Sequence, residues 1–64
     1  MGKYFLAGRE VAETDAATTW FEHAASKGID ISRAICIWED AATIDGGQSR
    51  LAVGEAGIRI EFAR

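Results

Sequence analysis

The run Ile29-Asp30-Ile31-Ser32-Arg33-Ala34-Ile35-Cys36-Ile37-Trp38-Glu39-Asp40 constrains the fold most. It is the densest β-branched stretch of the chain and sits near its middle. Ile29, Ile31, Ile35 and Ile37 share one parity, with Arg33 interrupting them. Asp30, Ser32, Ala34, Cys36, Trp38 and Asp40 share the other. A strand sends alternate side chains to opposite faces, and stiff Ile-Cys-Ile suits a pleated surface. The alternation predicts a central strand with an isoleucine face. A competing helix would start at Ser32 and carry Ile31, Ile35, Trp38 and Ala42 at helical spacing.

At 64 residues the chain is one domain, 1–64. A domain this small buries only about 60% of its unfolded surface, so self-association is a common way for it to gain burial. The 48% hydrophobic content argues against disorder. A single cysteine, Cys36, cannot form an internal disulfide and is expected buried or half-buried in a reducing compartment. No apolar run approaches the roughly 18 residues that span a bilayer. The N-terminus lacks a signal-peptide core, so a cytoplasmic protein without membrane partners is expected.

Around the central strand, Tyr4-Phe5-Leu6 and Arg9-Glu10-Val11 flank Ala7-Gly8 and predict a tight hairpin. Ala7 fits such a turn less well than Asn or Asp. A helix follows from about Thr14 or Asp15 to Lys27, with Thr14 as the expected N-cap and Gly28 as the left-handed residue past its end. Ala16, Ala17, Trp20, Phe21, Ala24 and Ala25 make its apolar stripe. Asp45-Gly46-Gly47 is turn chemistry and lacks the ending of a phosphate-binding P-loop. Arg50–Val53 and Ile58–Phe62 then read as two strands joined through Gly54-Glu55-Ala56-Gly57. The predicted fold is α+β: an antiparallel sheet of four to five short strands with one helix packed on one face. The uncovered face would carry Ala34, Cys36 and Trp38, with Arg50, Arg59 and Glu61 nearby. Trp38 either anchors a partner there or packs against the N-terminal hairpin or a loop.

No constellation of residues suggests catalysis, and no cofactor or metal is expected. His23 is the only histidine and has no companion ligands. The net charge of −3 counts against direct nucleic-acid binding. The acids are unevenly placed: Glu10, Glu13, Asp15 and Glu22 precede Lys27 with no base among them, and Glu39, Asp40 and Asp45 form a second group. An acidic face suits a protein partner with a basic surface.

The stretch Tyr4-Phe5-Leu6-Ala7-Gly8-Arg9-Glu10-Val11 and the acid-rich helix start resemble many short proteins of bacteriophages and mobile elements. Ala7 stands in place of the usual turn Asn, and Ala12 where a capping Ser is common. The resemblance covers the first quarter of the chain and carries no catalytic residues. It implies a small acidic inhibitor of the anti-CRISPR type, which imitates the charge of DNA. The leading expectation is therefore a non-enzymatic protein that binds and inhibits or regulates a larger nucleic-acid-handling complex. Two alternatives stand beside it. One is a sheet-face module for single-stranded nucleic acid, stacking bases on Trp38 and binding phosphates with Arg33, Arg50, Arg59 and Arg64. The other is a structural oligomerisation subunit. A homodimer is also expected, through antiparallel self-pairing of Ile58–Phe62 about Ile60 at a sheet edge, with Arg59 opposite Glu61 of the other copy.

Overall fold

In a computed structural model, which describes residues 2–62, the chain runs β1 (Gly2–Leu6), β2 (Arg9–Val11), α1 (Glu13–Ser26), α2 (Ile31–Ala41), α3 (Gly47–Gly54) and β3 (Ile58–Phe62). The fold is α+β. Among the described residues the sheet has three antiparallel strands in the order β2-β1-β3, and three helices accompany it. The expected four to five strands and one helix are corrected to that extent.

The opening hairpin forms as its residues predict. Tyr4 pairs with Val11, Phe5 with Glu10 and Leu6 with Arg9. Ala7 and Gly8 both take positive φ, 52° and 84°, as a two-residue turn between twisted strands requires. The cost at Ala7 is offset by tertiary anchoring: its N–H donates to the Gly57 carbonyl at 3.1 Å. That bond ties the hairpin tip to the turn that enters β3.

Helix α1 begins one residue earlier than expected. Ala12, not Thr14, is its N-cap, and the Ala12 carbonyl accepts from Asp15 and Ala16 at 3.1 Å each. No side chain caps this end, so the acids Glu13 and Asp15 in the first turn are what complement the helix dipole. The other end is a Schellman motif: Gly28 has φ 74°, its N–H donates to Ala25, and the Ile29 N–H reaches back to Ala24 at 2.9 Å. Ala16, Trp20 and Ala24 are buried, Ala17 and Phe21 pack against the core, and Ala25 is exposed, which narrows the predicted stripe.

The central run is a helix, and this is the largest correction. Asp30 caps α2, its carboxylate accepting from the Ser32 N–H at 3.1 Å. The buried side is Ala34, Trp38 and Ala41, with Ile37 beside it. Ile31 and Ile35 lie outside, 61% and 42% exposed. The alternating isoleucines therefore do not mark the core side in either of the readings made from sequence. The alanines do, because Ala16, Ala24, Ala34 and Ala41 leave room for close helix contact. Trp20 occupies the space between, donating its indole N–H to the Ala34 carbonyl at 3.0 Å. Tertiary packing here outweighs a β-branched local preference of at most about 1 kcal/mol. Cys36, expected buried or half-buried, is exposed on the outer side of α2.

The predicted strand Arg50–Val53 is also helical, as part of α3. Arg50 explains much of this. Its guanidinium donates to the carbonyls of Ala41 at 3.2 Å, Ile44 at 2.9 Å and Thr43, satisfying backbone groups left open after α2. Ser49 donates to the Asp40 carboxylate at 2.8 Å. Gly54–Gly57 is accordingly a helix-to-strand turn, with Gly57 at φ 84°, and not a hairpin loop.

Strand β3 appears where the alternation of Ile58, Ile60 and Phe62 predicts. It pairs with β1: Gly2 with Phe62, Lys3 with Glu61, Tyr4 with Ile60, Phe5 with Arg59 and Leu6 with Ile58. Ile58 and Ile60 are buried with Val53 of α3 and Trp20 of α1. The core thus lies between one face of the sheet and the helices.

Candidate functional site

The acidic residues named from sequence are all exposed. Glu10 lies on β2, Glu13, Asp15 and Glu22 on α1, Glu39 and Asp40 on α2, and Asp45 in the loop before α3. They do not form one cluster. Asp15 and Glu22 are seven residues apart, two helical turns, and share the outer side of α1 opposite Trp20. Glu13 opens the same helix and sits near Tyr4. Burial first, and then the Glu13 charge, raise the Tyr4 phenol above its ordinary value. Asp40 is committed to Ser49. Glu39 stands on the exposed side of α2 that also carries Ile31 and Ile35.

Trp38 is not on an uncovered sheet face. It is 8% exposed and stacks on Tyr4 with ring centroids 5.7 Å apart and planes at 27°. Of its two expected placements, packing against the N-terminal hairpin is the one observed. Its indole is therefore closed to bases or a partner.

Of the arginines proposed for phosphate contacts, Arg50 and Arg59 line one groove between α3 and β3, and Arg33 lies apart on α2. Arg33 is exposed on α2. Arg50 is held by three carbonyls and lies 5.0 Å from the Phe62 ring centroid. Arg59 is on the outer sheet face, 4.6 Å from the Phe5 ring centroid and paired with Glu61 at 3.0 Å. Arg64 lies outside the described residues.

An uncovered sheet face was expected, with Arg59 and Glu61 near it, but not its other residues. Register places Lys3, Phe5, Glu10, Arg59 and Glu61 on it, away from the helices. Lys3 and Phe5 share one parity of β1, and they join Arg59 and Glu61 because β1 pairs with β3. A groove of about 610 Å³ also opens where α1, α2 and α3 meet. Ile37 and Ala52 line its apolar part, and its rim sets Lys27 and Arg33 against Asp30 and Glu55, so it favours no one sign of ligand charge. His23 borders this groove, with its ring 6.0 Å from that of Trp20. Among the described residues no group of His, Cys, Asp and Glu could hold a metal ion, and no helix is long and apolar enough to cross a membrane.

In comparisons with known proteins, no family model, no curated protein and no solved structure matches the chain.

Proposed function

We propose that the chain is a small, acidic, non-enzymatic binding protein of the cytoplasm that docks on the basic surface of a larger nucleic-acid-handling protein complex and inhibits or regulates it. The observation that carries this reading is α1. It exposes Glu13, Asp15 and Glu22, and no Lys or Arg occurs from Glu10 through Ser26. Exposed charge of one sign along one helix steers encounter with the opposite potential and sets the salt dependence of binding. The anti-CRISPR-like form of the proposal draws on the chain's size, its charge and the resemblance of its opening hairpin.

The test is capture from a host lysate with the unaltered chain and with a Glu13→Lys, Asp15→Lys, Glu22→Lys variant. Retention of a basic, nucleic-acid-handling protein is expected at low salt. The variant should lose that retention while keeping its helical circular dichroism. Equal retention by the folded variant would remove α1 as the contact surface.

Self-association is a second reading, favoured by the position of β3 at the edge of the sheet.

A further inference from the structure

The two outer strands of the sheet differ. β2 is three residues long and begins with Arg9-Glu10, and such short, charged edges resist pairing. β3 is five residues long, has no proline and directs no charge inward. Ile58 and Ile60 are buried and Phe62 is half-buried on its core side. A groove of about 600 Å³ runs between α3 and β3, lined in part by Ile58, Ile60 and Leu51. Leu51 is 69% exposed. A strand added at this edge would meet the open side of β3 and a groove in which Ile58, Ile60 and Leu51 stand beside Arg50, Glu55 and Arg59.

We infer that the strand added here is β3 of a second copy, antiparallel about Ile60, giving one six-stranded sheet across the pair. The inference rests on the self-association reading and adds to it the rows that continue into β1 and the cover from Leu51. The sequence of β3 is self-complementary in this register alone. With Ile60 opposite Ile60 of the second copy, Arg59 faces its Glu61 and Ile58 faces its Phe62. Directly opposed residues lie on the same side of a sheet, so the charges share the wet side and the apolar groups share the core side. Slipping so that Arg59 meets its own copy sets like charges together. Slipping the other way does the same with Glu61. A slip by one residue puts charged side chains on the core side.

The rows also continue into β1. On the outer face the row reads Phe5, Arg59, then Glu61 and Lys3 of the second copy, following the pairs Phe5–Arg59 and Lys3–Glu61 already present. Its charges alternate along the whole row. On the core side, Tyr4 and Ile60 meet Ile60 and Tyr4 of the second copy. Leu51 and its copy then cover the seam from the helix side.

The experiment measures mass in solution at tens of micromolar chain by sedimentation, for the unaltered protein, Arg59→Glu, Glu61→Arg and an equimolar mixture of the two variants. Both positions are exposed, so each variant keeps its fold, checked by circular dichroism. The unaltered protein should show twice the 6.9 kDa chain mass. Each variant alone sets like charges opposite each other at both pairs and should dimerise roughly tenfold more weakly or worse. The mixture restores opposite charges at both pairs and should recover the dimer, which an ion pair within one chain cannot achieve. Leu51→Lys should also weaken the dimer. A monomer for the unaltered protein overturns self-association itself. A dimer that both variants retain, or a mixture that stays monomeric, overturns this register while leaving self-association standing.

Discussion

A Trp20→Ala variant is expected to lose about 3–5 kcal/mol of folding stability, the range for truncating a buried aromatic. Trp20 is 1% exposed and is the largest fully buried side chain of the fold. It packs among Ala16, Ala24, Ala34 and Ala41, whose short side chains cannot lean in to refill the space. Its indole N–H also satisfies the Ala34 carbonyl and links α1 to α2. A domain of this length has on the order of 3–10 kcal/mol in total, so the variant should lose a large share of it and unfold at a far lower urea concentration. Trp20→Phe keeps most of the volume and loses the donor, so it should stay folded with a lower urea midpoint. The urea midpoint followed by far-ultraviolet circular dichroism is the readout, with the alanine variant far below the unaltered chain. A native-like spectrum and a midpoint close to that of the unaltered chain would show that Trp20 does not hold the helices together.

The second large effect is expected at a glycine that reads, in sequence, as ordinary turn punctuation. Gly46 has φ −88°, a conformation open to any residue, so backbone freedom does not require it. Space does. A Cβ there would stand 1.8 Å from the Asp40 carbonyl oxygen and 2.6 Å from its carbon, and backbone cannot swing aside as a side chain can. Gly46→Ala must push α2 away from the start of α3. It should cost about 3 kcal/mol, at or beyond the upper end of ordinary overpacking. The neighbouring Gly47 is the control. Its Cβ would meet only the far end of Arg50 at 3.9 Å. Gly47→Ala should be neutral or stabilise by up to about 1 kcal/mol, as alanine does in a helix. Urea titration of the two variants side by side separates these expectations. Equal midpoints would contradict the close α2–α3 approach.

Much of the first third and the last five described residues was legible in sequence. The hairpin showed through Gly8, α1 through its alanine, tryptophan and phenylalanine spacing with Gly28 behind it, and β3 through strict alternation. The middle was not legible, for a definite reason. Residues 29–37 carry isoleucines at spacings of two, four and six, which fit a strand and a helix alike. The side that is buried is marked by alanines, whose weak hydrophobic signal says nothing of close helix contact. Asp30 was the available sign, a capping residue ahead of Ser32. The α3 segment was hidden because Asp45-Gly46-Gly47 ends a strand as readily as it opens a helix, and because Arg50 acts through carbonyls that only the folded chain brings near. Exposure of the acids followed from their chemistry. Burial of Trp38 did not, since it depends on which element carries it and on Tyr4 arriving from another.

Both indoles lie inside, Trp20 among the helices and Trp38 against Tyr4. Tryptophan accessibility tests this most directly. In Trp20→Phe, Trp38 is the one remaining indole, with Trp38→Phe as its counterpart. Acrylamide quenching of Trp38 in native buffer should be several-fold weaker than in the urea-unfolded chain, with emission shifted to the blue of free indole. Quenching as strong in the folded protein as in urea, with helical circular dichroism intact, would put Trp38 on the surface and contradict the packing of α2 against β1.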